Sequence, residues 1–191
     1  MKLWIVGPPG SGKSILADRL GALLSCPVVH LDEIHWLPGW QTRDPIDFRE
    51  VVDAATAGPA WVVDGNYQLV RRPFLSRADR VIWLDLPLSL CLRRLVRRCL
   101  SRAFTREIIC NGNRESLRET FLSRKSLLWW AITTDRERRR TYTRELSDRP
   151  HDRLRSCREI EAWLVGSSFD QRRIELQRLP ELLDGPGTTA R

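Results

Sequence analysis

Gly7-Pro8-Pro9-Gly10-Ser11-Gly12-Lys13-Ser14 fills every fixed position of the phosphate-binding pattern G-x-x-x-x-G-K-[ST]. The apolar run Lys2-Leu3-Trp4-Ile5-Val6 leads into it and suits a buried strand. Ile15, Leu16, Leu20 and Leu23 follow at roughly helical spacing, so the stretch reads as strand, glycine loop and helix. The chemistry follows from that order. Glycines let the backbone curl until its N–H groups converge on phosphate oxygens. The start of a helix adds positive partial charge at the same place. Gly7, Pro8, Pro9, Gly10, Ser11, Gly12, Lys13 and Ser14 are therefore the candidate nucleotide-binding residues. Lys13 is expected at the β- and γ-phosphates, and the Ser14 hydroxyl on magnesium.

Working outward, Cys26-Pro27-Val28-Val29-His30-Leu31 reads as a second buried strand, ending in Asp32-Glu33. Strand, helix and strand at this spacing make a right-handed βαβ unit. An acidic residue at the carboxyl end of a parallel strand stands where such sheets bind ligands. Asp32 is thus a candidate to orient a substrate hydroxyl or a magnesium-bound water, or else a helix cap. His30 is read as packed or solvated, and the three histidines form no metal-binding pattern. Trp36-Leu37-Pro38-Gly39-Trp40 carries two indoles across a turn, which either wall a planar substrate or pack a loop onto the core. Asp44-Pro45 opens a helix with apolar Phe48, Val51, Val52 and Ala55, closed by Ala57-Gly58-Pro59. Trp61-Val62-Val63 is the third strand, finishing in Asp64-Gly65-Asn66-Tyr67. Asp64 either holds hydrated magnesium opposite the loop or caps the following turn. Arg71 or Arg72 could clamp an acceptor phosphate.

Arg80-Val81-Ile82-Trp83-Leu84 is the fourth strand, and a helix is expected over residues 88–100 with Leu88, Cys91, Leu92, Leu95 and Cys99 inward. Asn111-Gly112-Asn113-Arg114-Glu115 is a polar turn. Helix is expected again over residues 118–130, with Phe121, Leu122, Leu127 and Leu128 apolar, and a basic stretch over 135–142. A fifth strand is assigned to Arg153-Leu154-Arg155, poor strand sequence, before a helix capped by Ser156 that carries Ile160, Trp163, Leu164 and Val165. A further helix over 169–183 and a frayed end complete the chain.

Charge is uneven over the 191 residues. The formal net charge is +8, yet residues 91–144 hold 15 basic and 5 acidic side chains, a net of +10, which leaves the remainder slightly acidic. Such a block suits several phosphates, a nucleic acid or an anionic surface. It also reads as an Arg-rich cover over residues 101–144 that closes to exclude water and offset charge on a transferring phosphoryl group. Arg97 and Arg138 are the candidate catalytic arginines beside Lys13 and Asp32. Five cysteines without a C-x-x-C pair argue for reduced thiols, as in the cytoplasm, rather than a disulfide scaffold or a zinc site. Met1-Lys2 runs straight into the first strand, so no signal peptide is expected, and no apolar run reaches membrane-spanning length.

In order along the chain, the phosphate loop, Leu31-Asp32, the Trp36–Trp40 turn, Val63-Asp64-Gly65-Asn66-Tyr67, Trp83-Leu84-Asp85-Leu86-Pro87, Asn111-Gly112-Asn113-Arg114-Glu115, and Leu154-Arg155-Ser156 with Trp163-Leu164 resemble the DNA topology modulation proteins. These are a branch of the P-loop kinases related to adenylate kinase. The resemblance spans residues 1–165. It implies an α/β nucleotide-kinase fold, with five parallel strands, helices on both faces and an Arg-rich helical lid. Residues 166–191 would be an extension. It also implies ATP and magnesium. Adenylate kinases continue Asp-Gly with Phe-Pro-Arg, whose arginine holds the acceptor phosphate. Here Asn66-Tyr67-Gln68 stands instead, which tells against AMP as acceptor. The expected activity is transfer of the γ-phosphoryl of ATP to a small acceptor, in a monomer or homodimer. Alternatives are a nucleotide-binding regulator acting on DNA, for which no DNA-reading motif is present, and an NTPase without a specific acceptor.

Overall fold

The computed structural model describes residues 1–105, 107–114 and 126–166. Five strands form one parallel sheet: β1 (Lys2–Val6), β2 (Val28–His30), β5 (Trp61–Asp64), β6 (Arg80–Leu84) and β9 (His151–Leu154). Their order across the sheet is β2-β5-β1-β6-β9. β1 pairs with β5 on one side and β6 on the other. The chain therefore departs in both directions from the central strand. The loop after β1 lies at the point where strand order reverses, the place where open parallel sheets bind ligands.

Period-two alternation explains how the sheet is covered. Trp4, Val6, Val63, Val81 and Trp83 face one side. There they meet α3 (Pro45–Ala55), α4 (Gln68–Arg77) and α6 (Leu127–Glu145) through Phe48, Val52, Val70, Phe74 and Tyr142. Leu3, Ile5, Val62, Ile82 and Leu154 face the other side, against α1 (Lys13–Leu24) and α7 (Cys157–Gly166). Trp4, Trp61 and Trp83 are fully buried, and truncating any one to alanine costs about 3–5 kcal/mol. α5 (Leu88–Thr105) leans on α6 through Leu95, Cys99 and Ala131.

Several expectations are adjusted. Ile15 is exposed, and Ala17 and Gly21 take the inward positions of α1. In α3 only Phe48 and Val52 are buried; Val51 and Ala55 face out. The helix expected over 88–100 continues to Thr105. The fifth strand begins two residues before its assigned start. Its unpromising residues are held by neighbours: Arg153 lies over the Trp83 ring at 4.2 Å and bonds Asp85, while Arg80 pairs with Asp152. Tertiary contact thus overrides weak strand propensity. Ser156 does cap α7, in a reciprocal arrangement: it accepts from the Glu159 N–H, and the Glu159 carboxylate accepts from the Arg155 N–H. α4, unassigned in the sequence, tolerates Pro73 in its second turn. Leu127 and Trp130 lie largely exposed, and Tyr142 and Leu146 anchor the far half of α6 in the core instead. Glu115, the Phe121 and Leu122 of the expected helix, and the segment after 166 lie outside the described residues.

None of the five cysteines is joined in a disulfide. Among the described residues no helix is long and apolar enough to cross a membrane.

Candidate active site

The loop between β1 and α1 takes a shape only its composition allows. Gly10 sits at φ +79°, and a Cβ there would lie 2.4 Å from the Cys91 carbonyl oxygen of α5. The loop is thus wedged against α5, and a side chain at Gly10 would push the two apart. No side chain caps the start of α1, so its first amides are open to an anion. The Lys13 ammonium folds back to donate to the Pro8 carbonyl at 3.1 Å. Burial pushes the Lys13 amine below its usual range, opposed by the carboxylates of Asp32 and Asp64 and assisted by the charges of Arg98 and Arg138. That set locates the cluster: Lys13 with two carboxylates and two guanidiniums around it.

Asp64, at the tip of β5, is nearly inaccessible. Its Oδ2 accepts from the Ser14 hydroxyl at 2.7 Å. Its Oδ1 lies 2.6 Å from Nδ1 of His30, whose Nε2 is 3.1 Å from Asp18. The hydrogen bond to Asp64, with the negative charges of Asp64, Asp18 and Glu33, raises His30 to about 9 against the opposing cost of burial. His30 is therefore protonated at neutral pH and donates to both carboxylates. The sequence reading of His30 as merely packed or solvated is corrected. β2 and β5 pair with His30 opposite Asp64, a register no single-strand pattern reveals.

Asn66 was also missed as a structural element. Its Nδ2 donates to the Gly7 carbonyl at 2.5 Å, and its Oδ1 accepts from the Gly7 N–H at 3.1 Å and from the Tyr142 hydroxyl at 3.2 Å. A side chain 59 residues downstream thus fixes the start of the phosphate loop. Its only sequence signal was position, two residues after a strand-tip aspartate.

Asp32 falls in α2 (Leu31–His35), directly after β2, and is exposed. Its Oδ1 accepts from the Tyr67 hydroxyl at 2.6 Å. Next to it the tryptophan turn is a hairpin, β3 (Trp36–Leu37) and β4 (Gln41–Thr42), joined by a 3₁₀ turn. The Trp36 and Trp40 rings meet edge to face at 5.5 Å. A second small hairpin, β7 (Ile108–Ile109) and β8 (Asn113–Arg114), sits over the first. Asn111 Nδ2 donates to the carbonyls of Glu33 and Trp36, at 2.8 and 2.6 Å. Asn113 Nδ2 donates to the Leu37 carbonyl at 2.9 Å, and its Oδ1 accepts from the Trp40 N–H at 2.8 Å. The Trp40 indole donates to the Arg114 carbonyl at 3.1 Å. The Asn-Gly-Asn-Arg element is therefore a latch that holds one hairpin on the other.

The arginines divide. Arg138 is largely buried, ion-paired to Asp135, and its charge reaches Lys13. Burial lowers its guanidinium below the usual range. On α5 the residue whose charge reaches Lys13 is Arg98. Arg97 is exposed on an open groove of about 420 Å³ that Arg94, Arg98, Ser101, Arg102 and Glu107 also line. Arg139 is tied to Asp85 and Asp135, and braces β6 against α6. Arg71 lies 3.6 Å from Glu145 and over the Tyr142 ring. Arg71 thus packs against α6, and it lines the same outer groove as Arg72. Arg72 is exposed on the outer groove between α3, α4 and Glu145.

No protein-family model matches the sequence. No curated protein matches it either. Solved structures do. Shikimate kinase from Acinetobacter baumannii, solved with shikimate, is 17% identical, with 97% of this chain and 95% of that chain covered and a TM-score of 0.50. Shikimate kinase from Bacteroides thetaiotaomicron is 19% identical over 96% and 98% of the two chains, with a TM-score of 0.46. Deoxyadenosine kinase from M. mycoides is 14% identical over 95% and 99%, with a TM-score of 0.47. At such identities the shared property is architecture. With the sheet order and the loop at its reversal point, the chain has the P-loop kinase fold.

Proposed function

We propose that this chain is a magnesium-dependent phosphotransferase that moves the γ-phosphoryl group of ATP to a hydroxyl on a small acceptor. The observation that carries it is the Ser14–Asp64 hydrogen bond beside Lys13, which sets a hydroxyl and a buried carboxylate next to the uncapped start of α1. Both groups offer hard oxygen donors, the type magnesium takes, and a nucleotide's phosphates supply further oxygens. Ser14 would hold the ion directly and Asp64 its water shell; the ion's contribution is to neutralise charge on the phosphates. The loop amides and Lys13 bind the β- and γ-phosphates. Asp32 takes the acceptor's proton as the acceptor oxygen bonds to phosphorus. The bond to the β,γ-bridging oxygen breaks, and ADP leaves with that electron pair. Arg138, with Arg98 or Arg97 from α5, balances the charge that develops. Of the cover expected over residues 101–144, the far half of α6 is anchored in the core through Tyr142.

The motif resemblance to DNA topology modulation proteins remains the narrowest family reading, and AMP is disfavoured as acceptor by Asn66-Tyr67-Gln68. The arginine-lined groove on α5 favours one second reading, a regulator that binds nucleic acid through its phosphates. One experiment separates them. Purified protein is given ATP, magnesium and a panel of nucleoside monophosphates and small hydroxyl compounds, with ADP and phosphorylated product both measured. Acceptor-dependent product supports the kinase. ADP formation indifferent to every acceptor supports simple hydrolysis. Salt-sensitive DNA binding without turnover supports the regulator.

A further inference from the structure

We propose that Tyr67 is the positioning residue for the acceptor hydroxyl, holding one oxygen of Asp32 so that the other is presented to the acceptor; this rests on the kinase reading above. The geometry is specific. Tyr67 ends the link from β5 to α4, three residues after Asp64, so one short segment serves both the magnesium side and the acceptor side. Its ring packs in a triangle with two others: the His35 ring lies 4.6 Å away, the fully buried Phe48 ring 5.2 Å away, and those two rings are 5.5 Å apart. A ring so held has little rotamer freedom to lose, and its hydroxyl points where the scaffold aims it. That hydroxyl donates to Asp32 Oδ1 at 2.6 Å, the length of a charge-assisted hydrogen bond.

Asp32 needs such help. It lies in a helix of five residues and is exposed, so nothing in its own element fixes its carboxylate. The groups whose fields meet there are Lys13 from the phosphate loop, His35 from α2, Tyr67 and Cys110 from the upper hairpin. Lys13 would draw a freely rotating carboxylate toward itself and away from an acceptor. The Tyr67 bond opposes that motion. It leaves Oδ2, which has no hydrogen-bond partner among the described residues, as the oxygen to take a hydroxyl's proton. A carboxylate held in line with the reacting oxygen removes an orientational search from each turnover, and losing that alignment costs up to about 10²-fold in rate.

Tyr67→Phe is the informative change, because it keeps the ring and its packing and deletes only the hydroxyl. With the acceptor found in the panel above, kcat is expected to fall 10- to 100-fold while the KM for ATP stays at its parental value. Asp32→Asn should lose at least as much, and the double variant should be no worse than Asp32→Asn alone, the non-additivity of two groups acting as a unit. A readout independent of turnover accompanies this. The chain has two tyrosines, so ¹³C labelling at tyrosine Cζ yields two resonances, and Asp32→Asn should move the one that Tyr67→Phe deletes. Parental kcat in Tyr67→Phe, additive losses, or a Tyr67 resonance indifferent to Asp32→Asn would each overturn the proposal and leave the kinase standing. A parent protein with no acceptor-dependent turnover would instead overturn the kinase reading, and this inference with it.

Discussion

On the proposed reading the site has a nucleotide wall and an acceptor wall, built in opposite ways. The nucleotide wall is one run of eight residues between a strand and a helix, braced by Asp64 at the end of the neighbouring strand and by Asn66 just beyond it. The acceptor wall has no continuous motif. It is a hairpin at residues 36–42, held down by amide side chains from residues 111 and 113 and backed by Tyr67. Phosphate is the same in every nucleotide, so one local backbone shape serves it. An acceptor is particular, and its wall is assembled from distant segments whose pairing can vary without disturbing the sheet. On that reading, chemistry shared by many proteins is local in sequence here, and chemistry peculiar to this chain is long-range.

If that division holds, damage to the two walls should differ in size and kind. Lys13→Ala deletes the positive side chain expected at the β,γ-phosphates, and turnover should fall about 10³-fold, with the melting temperature little changed because the side chain is only half-buried. Steady-state kinetics and a thermal melt on the same sample check it, and parental turnover would break the comparison at its stronger end. Asp64→Asn should come next, with phosphoryl transfer about 10²-fold slower and a weakened response to magnesium. The structure adds something the sequence did not offer. Asp64 also pairs with protonated His30, so this variant should melt lower than the parent even without ligand. Magnesium role and structural role are two uses of one carboxylate, and a melt together with a magnesium titration measures both.

The acceptor wall should respond more mildly and in a different constant. Asn113 is buried and bridges the two hairpins. Asn113→Ala strands the Trp40 N–H and the carbonyls it served, each costing about 1–3 kcal/mol where water cannot reach. The expected result is a KM for the acceptor raised about tenfold, with the KM for ATP unchanged. Amide exchange should quicken over residues 36–42 and 108–114 while β1 and β5 stay protected. Equal effects on both substrates would show that the two walls are one unit.

How far the sequence could be read follows the same division. The loop, the five strands and the carboxylates at their tips were visible because each depends on neighbours along the chain: alternation, helical spacing, a glycine pattern. Tyr67, Asn66 and the latch were not. Asn111 and Asn113 look like any polar turn, and their value comes from carbonyls more than 70 residues away. β9 was faint for a similar reason, since Asp85 and Trp83 supply what its own residues lack. Arg71 shows the same limit: its charge was plain, but its partner on α6 was not.

His30 gives the smallest and sharpest test, because it reports on the nucleotide wall without any ligand. Its folded-state value of about 9 lies above the ordinary 6.5. A group raised in this way adds stability that is fully present below pH 6.5 and is lost as pH rises through 9. In magnesium-free buffer the parent should therefore lose a few degrees of melting temperature across that window, at about 2–4 °C per kcal/mol for a chain of this size. His30→Gln keeps a hydrogen-bonding side chain but cannot titrate, so its melting temperature should start lower at pH 6.5 and run flatter to pH 9. The same window should leave the latch untouched, since the contacts of Asn111 and Asn113 are amide to backbone and carry no titrating group. Amide exchange over residues 108–114, compared at the two ends of the range after correction for the intrinsic rate, tests that half. A parent whose stability is level from pH 6.5 to 9 would mean that His30 and Asp64 do not share a proton in solution. The nucleotide wall would then rest on the Ser14–Asp64 contact and the Asn66 brace alone.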